Sequence, residues 1–122
     1  MSITTKEHYH GVVIGIEGKF LGSVQGREFK EVIESLKQDG RTHVVVDLGK
    51  TEFMDSTGIG TLIGALTTMR KAGGDIRLAN LKDRVHGLFM MMHMLGPVFE
   101  DFDSVEEALQ SLKERPEPKA TP

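Results

Sequence analysis

Hydrophobic positions recur along this chain in blocks whose period changes between two and nearly four, and the blocks predict its elements. Residues 3–10 form a first strand with a weak, polar pattern. Gly11 then turns the chain into Val12-Val13-Ile14-Gly15-Ile16, a β-branched run of strand length. Residues 18–26 are glycine-rich and read as a loop. Phe29, Val32, Ile33 and Leu36 follow at helical spacing within 27–38, and Asp39-Gly40 stops that helix. His43-Val44-Val45-Val46-Asp47-Leu48 is a continuous apolar run of the kind found in a buried central strand. A second helix carries Ile59, Leu62, Ile63, Leu66 and Met69 on one stripe. Lys71 sits in its last turn, where a cation suits the helix dipole, and Gly73-Gly74 ends it.

Residues 75–80 alternate with period two and predict a further strand. A third helix spans 82–95 and is closed by Gly96-Pro97, and Val98-Phe99 gives a brief last strand. Ser104-Val105-Glu106-Glu107 has the form of a capping box that opens a fourth helix through Leu112. Strands joined by helical crossovers mean an α/β fold. The expected sheet is mixed and mostly parallel, with four to five strands, one antiparallel strand from the initial hairpin, and about four α-helices. A single domain is predicted over 1–114. Residues 115–122 hold three of the four prolines without an apolar pattern and are expected to form a flexible tail.

Composition narrows the function classes. The chain has 122 residues, 39% of them hydrophobic and 27% charged, an ordinary globular balance that excludes a disordered scaffold. Fifteen Lys and Arg against 18 Asp and Glu leave a charge of -3, without the basic excess that direct nucleic-acid binding favours. The absence of cysteine removes disulfides, thiolate metal sites and thiol nucleophiles. The longest uncharged runs, 56–69 and 85–99, fall short of the roughly 18 residues of a membrane helix, and the first residues lack a signal-peptide pattern. The expectation is a soluble cytoplasmic domain. Five histidines occur without metal-ligand spacing, no Gly-Lys-Ser/Thr phosphate loop is present, and His43 lies at the far end of the strand preceding Ser56. No metal, cofactor or catalytic residue is predicted.

The informative segment is Phe53-Met54-Asp55-Ser56-Thr57-Gly58-Ile59-Gly60, where the chain enters the second helix. Asp, Ser and Thr are all good N-caps, so local helix chemistry accounts for one of them. Three such side chains in a row exceed that need. Gly58 and Gly60 each cost about 0.5–1 kcal/mol relative to alanine within a helix, which points to a close approach at this backbone. Thr57, Thr61, Gly64 and Thr68 share the outer side of the same helix as a stripe without bulk or charge. Such a stripe suits the approach of another protein or an empty solvated face. On the third helix, Val85, Leu88, Phe89, Met92 and Leu95 form the core stripe. Met90 and Met94 fall opposite it, with Met91 at the edge, as partner contacts or as scattered exposed residues.

A strand ending in Val-Val-Val-Asp-Leu, then Phe-Met-Asp-Ser-Thr-Gly-Ile-Gly, then a helix with Leu-Ile-Gly-Ala-Leu, closely resembles the STAS-domain family. The likeness is greatest to the anti-sigma-factor antagonists and spans about residues 5–113. It implies a non-enzymatic switch that sequesters an anti-sigma factor, itself a serine kinase, and so frees a sigma factor; a phosphatase resets it. Carried over, the phosphoacceptor is Ser56, with Thr57 the runner-up. The partner surface expected from motif and stripes comprises Asp55, Ser56, Thr57, Gly58, Gly60, Thr61, Gly64, Thr68, Met90 and Met94. The family usually has Gly-Glu-Leu-Asp after its second strand, whereas this chain has Gly18-Lys19-Phe20-Leu21-Gly22, with Leu21 in place of the acid. Two other classes fit the same residues: a STAS scaffold or regulator of another phosphorylation cascade, and a small nucleotide-binding protein or enzyme using the Asp55-Ser56-Thr57 pocket.

Overall fold

The computed structural model describes residues 2–113, so the expected tail at 115–122 lies outside the described residues. The elements are β1 (Ser2–His8), β2 (Gly11–Phe20), α1 (Gly26–Gln38), β3 (His43–Asp47), β4 (Thr51–Met54), α2 (Ser56–Lys71), β5 (Asp75–Ala79), α3 (Asp83–Met91), β6 (Asp101–Phe102) and α4 (Val105–Lys113). The strands lie in the order β1-β2-β3-β5-β6, and β4 pairs with the far end of β2. Only β1 is antiparallel to its neighbour, as a hairpin strand must be; the crossovers make the other pairs parallel.

Alternation along the strands divides the core into two layers. Ile14, Ile16, Val44, Val46, Ile76 and Leu78 face Phe29 and Ile33 of α1, Ile59 and Leu62 of α2, and Val85 and Phe89 of α3. Val13, Val45 and Ala79 face the other way, against Ala108 and Leu112 of α4. The α/β class and the four helices agree with the sequence pattern, but the sheet has six strands where four to five were expected. The difference is β4. It pairs with Gly18–Phe20, converting the first third of the expected loop at 18–26 into strand, with a register shift between Gly18 and Lys19. Buried Thr51 fixes this pairing by donating its hydroxyl to the Ile16 carbonyl at 2.7 Å.

Two boundaries also move. The third helix stops at Met91 rather than residue 95, because His93 adopts φ 57° and reverses the chain. The His93 N–H donates to the Met90 carbonyl and the Met94 N–H to the Phe89 carbonyl, the paired bonds of a Schellman ending. Val98-Phe99 is not a strand; Phe99 is buried in the core, and the strand lies just beyond it at β6. The capping box at α4 is half formed. Ser104 Oγ accepts from the Glu107 N–H at 3.1 Å, but Glu107 turns its carboxylate to the serine hydroxyl instead of the backbone.

Candidate partner-binding site

The entrance to α2 is organised by Asp55. Its Oδ1 accepts the N–H of Gly58 at 2.7 Å, the N-cap bond of α2, and also the N–H of Gly22 at 3.1 Å. One carboxylate oxygen therefore caps the helix and ties the β2–α1 loop to it. Gly22 can sit there only without a side chain, since a Cβ would lie 2.4 Å from the Thr57 carbonyl carbon and 2.6 Å from the Gly58 nitrogen. The loop is locked from its own side as well. The Leu21 N–H donates to Gln25 Oε1 at 2.8 Å, and the Leu21 carbonyl accepts from Val24 and Gln25.

Against this fixed frame Ser56 and Thr57 are exposed in the first turn of α2. Their N–H groups precede any carbonyl that the helix could offer them, so the positive end of the helix dipole opens towards solvent beside the Ser56 hydroxyl. The two glycines that follow have separate explanations. A Cβ on Gly58 would lie 2.8 Å from the Phe20 carbonyl oxygen and 2.9 Å from Met54 Cγ, so the fold itself makes the close approach there. Gly60 has nothing within 4 Å and leaves its backbone bare.

The small-residue stripe of α2 does not face open solvent on a convex outer side. It forms one wall of a groove of about 530 Å³ whose other wall is α1, through Lys30, Ile33 and Glu34. Thr57, Gly60, Gly64 and Thr68 line this groove. Thr61 lines it too but is only 8% exposed, because it packs on Gly26 of α1 and donates its hydroxyl to the Thr57 carbonyl at 3.1 Å. Gly64, like Gly60, has open space where a side chain would begin.

The methionines divide. Met90 is 55% and Met91 70% exposed at the end of α3. Met94, expected on the same outer face as Met90, packs half-buried against the core. The reversal at His93 is the reason: in a Schellman ending the residue after the left-handed one turns back onto the last turn, here towards Phe89.

The family model for the STAS domain matches residues 2–108. The anti-sigma-B factor antagonist of Staphylococcus aureus (strain NCTC 8325 / PS 47) is 30% identical over 86 residues, 70% of this chain and 77% of that protein. The chain is a STAS domain of the anti-sigma factor antagonist family. The anti-sigma F factor antagonist of Paenibacillus polymyxa is 25% identical over 108 residues, 88% of this chain and 92% of the relative. The anti-sigma factor antagonist SpoIIAA in its unphosphorylated form shares the fold at a TM-score of 0.72 and 19% identity, over 93% of this chain and 100% of that one. The phosphorylated form of the Bacillus cell fate determinant SpoIIAA shares it at a TM-score of 0.68 and 23% identity, over 91% and 99%.

In this STAS domain Thr57, Gly60, Thr61, Gly64 and Thr68 line one groove, Gly58 is buried, and Asp55 and Ser56 stand at the adjoining start of α2. Several neighbours are given no site role by the sequence. Gly22 and Gln25 build the loop beside Ser56, while Val24 on that loop is 63% exposed and Phe53 on β4 is 39% exposed. The resemblance singles out Leu21 in this loop, but the loop's tie to Asp55 through Gly22 is visible only in the structure. Among the described residues no helix is long and apolar enough to cross a membrane, and no group of three or more His, Asp or Glu is placed to hold a metal ion.

Proposed function

We propose that this chain is a non-enzymatic, phosphorylation-controlled switch working in the cytoplasm. With Ser56 bare it binds an anti-sigma factor that is also a serine kinase, and a sigma factor goes free. Phosphorylated on Ser56 it lets the kinase go, and a phosphatase restores it. The observation that carries this reading is Ser56 itself, exposed in the first turn of α2, beside Asp55, whose carboxylate caps the helix, and next to Thr57 at the head of the α1–α2 groove.

The surrounding chemistry supports each part. A bare hydroxyl on a helix whose next turns carry Gly60 and Gly64 allows a partner surface to lie close against the backbone. Lys30 and Glu34 rim the groove with both signs of charge, so the apolar floor at Ile33 and Ala65 is framed by polar groups, as at other transient interfaces. Thr57 is exposed one residue on and is the second candidate acceptor. Asp55 is already engaged by two backbone N–H groups, which suits a positioning role better than that of a free base.

Affinity capture with the wild-type chain from extract of its own cells tests the reading. Recovery of an ATP-binding protein that phosphorylates Ser56 in the eluate is the expected result. Turnover of a nucleotide or ester by the isolated chain, with no such protein recovered, overturns it.

A further inference from the structure

Seven methionines are present, and the exposure of the six among the described residues is sharply divided. Met54 and Met69 are buried, Met92 and Met94 pack half-buried against the core, and Met90 and Met91 stand out at the end of α3. A helix end facing only solvent ordinarily carries Lys or Arg, which suit the dipole, yet the last turn of α3 holds no basic residue. Two adjacent thioethers take that place, and being consecutive they spread over about 100° of the helix surface. The helix packs along β4, which runs directly into Asp55 and Ser56, and Phe53 of β4 adds a partly exposed ring.

We propose that Met90 and Met91 are an oxidation-sensitive part of the partner surface, where a hydroperoxide converts the thioethers to sulfoxides and weakens partner binding. This rests on the switch reading above. In the step, a sulfur lone pair attacks the terminal peroxide oxygen, an S–O bond forms and the O–O bond breaks. Sulfur loses two electrons; the peroxide gains them and leaves as water or an alcohol, its departing oxygen taking up the proton. The product replaces a flexible apolar group by a strong dipole. Burying that dipole at an interface shaped for a thioether leaves it without a hydrogen-bond partner. Met54 and Met69 are shielded from the reagent by the core, so the fold outlasts the modification.

The test treats the full chain with dilute hydrogen peroxide, maps the added oxygen by peptide mass spectrometry, and measures affinity for the captured kinase before and after. Expected are oxygen on Met90 and Met91 ahead of Met54 and Met69, an unchanged circular dichroism spectrum, and an affinity lower by about tenfold or more. Methionine sulfoxide reductases restore it. In the Met90→Leu/Met91→Leu double variant, affinity measured before and after peroxide stays within about twofold of its own starting value. Oxygen entering Met54 or Met69 as fast, undiminished binding by the oxidised chain, or an equal loss in the double variant overturns the proposal. If the reduced chain captures no kinase, the switch reading fails and the pair's role fails with it, while the mass map still reports where oxygen enters.

Discussion

Asp55 and Gly22, 33 residues apart, are joined by a 3.1 Å bond from the Gly22 N–H to the carboxylate oxygen that also caps α2. This contact makes the β2–α1 loop and the helix start one rigid unit beneath Ser56. Asp55→Ala removes both bonds and should lower stability by about 1–2 kcal/mol, the upper part of the range for a lost cap. Gly22→Ala places a methyl inside the Thr57 backbone and should cost about 1–3 kcal/mol as the loop lifts. Gly60→Ala is the contrasting substitution: nothing stands within 4 Å, so it should gain about 0.5–1 kcal/mol. Urea midpoints of the three variants give the ordering, and a Gly22→Ala chain as stable as wild type contradicts the packed loop.

The groove between α1 and α2 leads to a binding prediction. Because Gly64 faces open space, Gly64→Arg should fold normally and melt at the wild-type temperature. Its long side chain fills the groove, so binding of the kinase should fall by at least about 2 kcal/mol, as when a hot spot is blocked. Titration calorimetry with the captured partner decides it. Unchanged affinity at an unchanged melting temperature removes this face from the interface.

A third prediction concerns stability away from the site. Asp75, fully buried, pairs with Arg77 at 2.5 Å and with Arg70 at 2.9 Å, and Arg77 reaches Ser111 of α4 at 3.1 Å. This network fastens α2, β5 and α4 together across the end of the sheet. Asp75→Ala leaves the Arg77 charge buried without its main partner and should cost about 3–5 kcal/mol. Denaturant unfolding measures it, and a loss below about 1 kcal/mol would mean that the pair contributes no more than a surface bridge.

What was legible in the sequence followed from periodicity and glycine. Gly40 and Gly73 both sit at positive φ just past α1 and α2, and each helix ends where the glycine placed it. The third helix uses the same ending with His93, a residue that only rarely adopts that backbone, so its stop and the inward turn of Met94 left no mark in composition. Strand β4 is four residues long with a buried-exposed-exposed-buried pattern, which matches no template of period two. Ser56 and Asp55 were legible because cap chemistry and motif agree on them. The charge network was not: Asp75 and Arg77 look like the polar face of a half-exposed strand until α4 covers them.

The loop residue Leu21 offers a test of the proposed kinase recognition. It is half-buried beside the site and held through its backbone to Gln25, at the position where the family resemblance leads one to expect an acid. Its side chain is not needed for those backbone bonds, so Leu21→Asp should fold. If a carboxylate there helps orient the acceptor hydroxyl, phosphorylation by the kinase should speed up. Initial rates with radiolabelled ATP are the measurement, and an unchanged rate assigns the loop no such role.

The switch itself is the last prediction. Ser56 lies where unpaired N–H groups and the positive end of the α2 dipole point outward, so a phosphate of about -1.5 to -2 charges can be accommodated at the helix end and the fold should survive it. The interface should not. A dianion there adds bulk beside Gly60, loses its hydration against the partner, and is repelled by Asp55, whose carboxylate is fixed one residue away by its two backbone bonds. Taking the bound fraction from 99:1 to 1:99 requires about 5.5 kcal/mol of differential affinity, which these three effects would have to supply together. Ser56→Ala should therefore stay bound to the kinase in the presence of ATP and accept no phosphate at this position. Ser56→Asp should melt within a few degrees of wild type and bind poorly. Mass spectrometry of the wild-type chain after incubation with kinase and ATP locates the phosphate directly. Phosphate on Thr57 alone moves the switch one residue along the helix, where the dipole argument still holds but the contact with the groove becomes closer; phosphate on neither residue leaves a binding module without a switch.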